Sequence, residues 1–148
     1  MSSPISMNDP HNLQRFIDAQ DPVYDEVVAE LTAGKKTSHW IWFVFPQFDG
    51  LGRSGMARRY AIRSKEEALA HWNHPVLGAR LRECIEKMMA IRGKTAFQIL
   101  GTPDDLKFQS CLTLFATLAP NELLFKQALE KYYEGKVDTK TLELLRWR

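Results

Sequence analysis

Residues 40–48 read WIWFVFPQF, and five of these nine side chains are aromatic. Each aromatic ring that leaves water buries roughly 150–250 Å², so a run this dense has to lie inside the fold. Its residue types favour a strand. A strand needs partners for its backbone N–H and C=O groups, and no second convincing strand occurs in the chain. The run is therefore expected to form a short buried helix from Ser38 that ends before Pro46. Core filling is its plain role. The other is an aromatic wall, Trp40 or Trp42, on which a planar ligand stacks.

Around this segment the pattern is helical. Leu13, Phe16 and Ile17 share a face between Asn12 and Gln20. Asp21-Pro22 reads as cap and first position of the next helix, where Tyr24, Val27, Val28 and Leu31 form a stripe closed by Gly34. Ser64 with Glu67 fits a capping box for a helix to about His74. Pro75 opens another helix, carrying Leu77, Leu81, Cys84, Ile85 and Met88 towards Gly93. Thr102-Pro103 reads as cap and first position of a helix bearing Leu106, Leu114, Phe115 and Leu118. Pro120 and Asn121 break it, and a stripe from Leu124 to Tyr132 follows. Asp138 caps a last helix with Leu142 and Leu145. The expected fold is all-α, a compact single-domain bundle of about seven to nine short helices over residues 12–148. Residues 1–11 are expected to be a polar, flexible N-terminus without an apolar signal core.

Composition narrows the function classes. The chain has 20 Lys+Arg and 18 Asp+Glu, too even a balance for bulk attraction to nucleic acid or an anionic membrane. A nucleic-acid partner is therefore not the expectation, and no apolar run is long enough to span a bilayer. Two cysteines, Cys84 and Cys111, sit in helical stripes as inert thiols and suit a reduced, cytoplasmic setting. The charge is nonetheless segregated. Residues 1–34 hold six acids and one base, a net of −5; residues 35–63 hold six bases and one acid, a net of +5. Either the two segments neutralise each other, or the basic one faces a small anion or nucleic-acid phosphate.

Gly50-Leu51-Gly52-Arg53-Ser54-Gly55 spells G-x-G-x-x-G. A dinucleotide fold is not expected, because Pro46 interrupts the would-be strand and no strand–helix series follows. The plain reading is a tight turn with Ser54 capping a short helix; the sharper one has Ser54, backbone N–H groups and Arg53 or Arg58 meeting an anion. His39 is the best acid/base candidate, since imidazole titrates near neutrality. His71 and His74 lack further ligands to complete a metal site, and neither a metal nor a cofactor is expected.

The strings Ser38-His39-Trp40-x-Trp42-Phe43-x-Phe45-Pro46-Gln47 and Gly50-Leu51-Gly52-x-Ser54 resemble a bacterial family numbered 1810 among domains of unknown function. Tyr60-Ala61-Ile62, His74-Pro75-x-Leu77-Gly78-x-Arg80-Leu81 and Gly101-x-Pro103-Asp104-x-x-Lys107 continue the likeness from about Asn12 to Leu145. The resemblance implies a single, mainly helical cytosolic domain and no established activity. Some members carry a calpastatin-like label, which the composition of this chain does not support. Packing explains Lys35, His39, Gln47, Ser54, Tyr60, Arg80, Asp104 and Lys107 poorly. Together with Trp40, Gly52 and Arg58, they are expected to line a pocket with aromatic walls and a positive lip. Such a pocket suits a small phosphate-bearing nucleotide or ADP-ribose-like ligand, bound or processed with His39 as acid/base. The competing expectation is a non-catalytic module that binds a protein partner through its last helices.

Overall fold

The computed structural model describes residues 8–147, and among them there is no strand. Ten short helices follow one another: α1 Gln14–Gln20, α2 Tyr24–Ala33, α3 Ile41–Val44, α4 Gly55–Arg59, α5 Lys65–Asn73, α6 Leu77–Ala90, α7 Ala96–Leu100, α8 Asp104–Leu118, α9 Leu123–Tyr133 and α10 Thr139–Trp147. The all-α expectation holds, with slightly more helices than the stripes suggested. Residues 1–7 of the expected flexible N-terminus lie outside the described residues. From Asp9 onward the chain is tied down, because the Asp9 carboxylate accepts from the Leu13 and Gln14 N–H groups at the start of α1.

Local chemistry sets most boundaries. Ser54 and Ser64 each accept the N–H three residues on and so cap α4 and α5. Gly34 takes the left-handed conformation at the end of α2, with φ 75°. Asp138 accepts the Thr141 N–H at the head of α10. Three expected caps differ. Asp21 does not cap α2, whose N-cap is Val23; its carboxylate is instead 2.8 Å from Arg80. Thr102 does not cap α8, which begins after Pro103. Glu67 does not return a bond to Ser64, because its oxygens accept from the Arg63 N–H and the Arg15 guanidinium. His74 supplies a cap that propensity does not reveal, its Nδ1 accepting from the Val76 and Leu77 N–H groups before α6. Thr95 and Gln98 form a full capping box on α7, a helix absent from the sequence expectation.

The aromatic run forms one helical turn, α3, at the centre of the molecule. It packs on α1, α6 and α8. Trp40, Ile41, Phe45 and Phe48 are all but fully buried. Phe45 meets Phe108 of α8 with ring centroids 4.5 Å apart, and Phe43 meets Tyr60 at 5.4 Å. Each such burial contributes about 1.5–3 kcal/mol, so the segment is first of all the core. Trp40 is thus part of the interior and not an open stacking wall.

Candidate functional site: a polar node beside the aromatic core

A chain leaving α2 at Gly34 has to bring polar backbone past Trp40, and Glu30 makes that possible. Its Oε1 accepts from the N–H groups of Thr37 and Ser38 and from the indole Nε1 of Trp40, at 2.9, 3.1 and 2.8 Å. Its Oε2 accepts from the Ser38 hydroxyl at 2.5 Å. Burial by itself would push this carboxyl up; the four hydrogen bonds outweigh that and hold it down at about 2.

Lys36 continues the node. Its ammonium lies 2.7 Å from Asp104 at the start of α8 and 5.0 Å above the Trp40 ring. Its side chain is only 5% exposed, against 18% for Asp104, so the pair is a largely desolvated one. The Lys36 N–H donates to Ile99 O at 2.7 Å, which fastens residues 35–42 along residues 99–107. On the same seam the Lys107 ammonium stands 5.2 Å from the Trp42 ring centroid. The Trp42 Nε1 is buried and has no hydrogen-bond partner among the described residues. Lys35 and His39 are exposed beside this seam.

A second group belongs to the loop after α3. Phe48 and Ile62 form an isolated parallel bridge, with the Ile62 N–H donating to Gln47 O and the Asp49 N–H to Ile62 O. The bridge closes a loop that contains the glycine turn and α4. Gly50 has φ 105°, and a Cβ on Gly52 would come 2.5 Å from that of Ala57, so the turn folds directly onto α4. Arg15 of α1 holds the loop down: its Nε donates to Arg59 O at 2.9 Å and its other nitrogens to Ala61 O and Glu67. Tyr60 is buried between Phe16 and Phe43. Ser54 and Arg58 are exposed, and Gln47 is half-buried.

Arg80 forms a third group. It donates to the buried Gln20 side chain at 3.2 Å, pairs with Asp21, and lies 4.7 Å above the Tyr24 ring. Gln20 in turn donates to Phe43 O at 2.7 Å. The expected residues therefore surround the aromatic segment in three groups. Lys35, His39, Trp40, Asp104 and Lys107 share the seam between residues 35–42 and 99–107. Gln47, Gly52, Ser54, Arg58 and Tyr60 belong to the loop. No ion pair or hydrogen bond among the described residues joins Arg80 or the loop directly to the seam. Glu30, Lys36 and Arg15 organise these groups, and sequence reasoning missed all three. Their partners lie too far along the chain for a local pattern to reveal.

Direct ion pairing does not link the two charged segments: among the described residues no acid of residues 1–34 forms an ion pair with a base of residues 35–63. His71 is fully buried between Phe16 and Phe115, and neither ring nitrogen has a partner among the described residues. Burial, then the charge of Arg15, push it down to about 3. Cys84 and Cys111 are free and buried, and burial pushes the Cys84 thiol up to about 12.

Helix packing, the central aromatic turn and the buried charge pair define a small all-α protein built around one polar–aromatic node. No helix among the described residues is long and apolar enough to cross a membrane. The chain belongs to the family described as protein of unknown function DUF1810, which it matches over residues 10–145. It is similar to a solved structure from Mycobacterium tuberculosis, the conserved hypothetical protein Rv1873, at 49% identity and a TM-score of 0.92. That match covers 93% of this chain and 99% of the other. No curated protein matches it.

Proposed function

We propose that the chain is a cytoplasmic binding protein for a small phosphate-bearing ligand of the nucleotide or ADP-ribose type. The ligand is taken up on the seam between residues 35–42 and 104–107. The observation that carries this is Lys107. The residue is half-buried, its ammonium lies over Trp42, and it has no carboxylate partner among the described residues. The acid three residues earlier, Asp104, is already spent on Lys36. On this reading a ligand phosphate supplies a counter-charge to Lys107, and the exposed Lys35 and His39 supply further donors, with His39 the candidate to move a proton.

A thermal-shift titration with nucleotides, ADP-ribose and sugar phosphates tests this. At about 100 times its dissociation constant a ligand adds about 2.7 kcal/mol of stability, and Lys107→Ala should abolish the gain. No shift with any of them at millimolar concentration would sink the proposal.

A second reading has one feature in its favour. A groove of about 590 Å³ opens between α8, α9 and α10, lined by Ala116, Leu129, Val137 and Leu142. On that reading the groove takes a protein partner, and the ligand titration is silent.

A further inference from the structure

We propose that the arginine-rich edge of the loop, residues 53–65, is a docking surface for the phosphate backbone of a nucleic acid. This surface is separate from the ligand seam. Residues 53–65 contain Arg53, Arg58, Arg59, Arg63 and Lys65 and no acid. All five cations are exposed, and none pairs with a carboxylate among the described residues. The nearby Glu67 is consumed by Arg15 and by the Arg63 N–H. Glu66, exposed beside Lys65, and Asp49, whose N–H donates to Ile62 O next to Arg63, are acids at the rim. Net charge over the whole chain hides this edge, because the acids that balance it are used elsewhere: Asp21 on Arg80, Asp104 on Lys36 and Glu30 on backbone and indole N–H groups.

The geometry gathers the charge. The Arg63 guanidinium lies 3.3 Å from Arg58 O, and Arg15 donates to Arg59 O, so the carbonyls that end α4 are covered by cations. Arg58, Arg59 and Arg63 thus project from one short stretch of backbone that the Phe48–Ile62 bridge and Arg15 hold in place. A fixed backbone lowers the ordering cost of each phosphate contact. Four of the five cations are arginines, whose fork matches phosphate oxygens.

Two absences from this edge select the partner class. Every large exposed apolar side chain among the described residues lies outside 53–65, so nothing here inserts into a bilayer. Tyr60, the one aromatic residue in the stretch, is buried and cannot stack on an unpaired base. Recognition is therefore of the backbone, independent of sequence, and compatible with a duplex.

The test is fluorescence anisotropy of the full chain with a labelled 20-base-pair duplex of arbitrary sequence. With about four phosphates neutralised, affinity should fall about 10²-fold between 50 and 200 mM salt. The triple variant Arg58→Ala, Arg59→Ala, Arg63→Ala should flatten the salt slope by about three units. Removing three cations elsewhere, in Lys126→Ala, Lys136→Ala, Lys140→Ala, should leave the slope unchanged. Should the triple variant fail to fold, Arg53→Glu and Arg58→Glu put the question one exposed side chain at a time. The proposal is overturned by no binding at 50 mM salt, or by equal losses in the two triple variants. Binding to phosphatidylserine vesicles as tight as to the duplex would equally overturn it, in favour of a membrane.

Discussion

The seam beside Trp40 and the loop beyond Phe48 are both rich in charge, and they treat it in opposite ways. In the seam, Lys36 is paired and covered, and Glu30 accepts four hydrogen bonds. In the loop, Arg53, Arg58 and Arg59 form no ion pair among the described residues and stand in solvent. A buried charge is tolerated only with compensation, so the seam's charges are bound into the stability of the fold. Exposed charges contribute little to stability and remain available to a partner.

This contrast can be broken by substitution. Lys36→Ala leaves Asp104 without its counter-charge in a largely covered place, and should cost about 3 kcal/mol in urea denaturation. If the double variant Lys36→Met, Asp104→Leu is as unstable as the single, the pair is not what holds the seam. Glu30→Gln removes the charge from four hydrogen bonds and should cost about 2 kcal/mol at pH 7. Because the folded value of about 2 lies below the ordinary 4.5, Glu30's contribution is complete above pH 4.5 and fades as the pH falls towards 2. The difference between Glu30→Gln and wild type should therefore shrink in acid.

His71 sharpens the comparison from inside the core, since it is buried like the seam charges but has no polar partner among the described residues. Its folded value of about 3 lies below the ordinary 6.5, so the unfolded chain takes up the proton first. Stability is complete above pH 6.5 and should fall by about 2 kcal/mol between pH 7.5 and pH 5. Arg15 from α1 faces it with positive charge and resists protonation, the His74 ring beyond α5 accepts backbone N–H groups at its Nδ1, and Glu67 one turn away is bound to Arg15. His71→Phe should flatten this part of the pH profile; an unchanged profile would show that another group carries it. The smallest effect belongs to the loop. Arg58→Ala and Arg59→Ala should each change stability by less than about 0.5 kcal/mol.

The parts of the fold legible in the sequence were those written locally. The stripe Tyr24 to Leu31 with Gly34 behind it, the Ser54 and Ser64 caps, and the helical state of residues 41–44 follow from spacing and from the lack of a partner strand. Helix α7 was not legible, because its five residues are too few for a stripe and Phe97 within it is exposed. Asp21 and Glu67 misled as caps because each was taken by an arginine from a distant element, Glu67 by Arg15 across 52 residues. The sequence offered candidate site residues as types and no arrangement of them. His39, Asp104 and Lys107 could be named from the sequence, but Glu30 and Lys36, which organise the seam, look locally like ordinary surface charges.

The Phe48–Ile62 bridge has an architectural consequence. It brings the two ends of the intervening segment to neighbouring positions, so the exposed tip between them plays no part in the closure. Closure entropy rises only slowly with length, by about 0.6 kcal/mol per doubling. The exposed tip, residues 53–55, is thus exchangeable, whereas Leu51, Met56 and Tyr60 on either side of it pack on the core. Variants with a longer or differently charged insert at residues 53–55 should keep the same scaffold, provided Tyr60 stays buried and Arg15 retains carbonyls to grip.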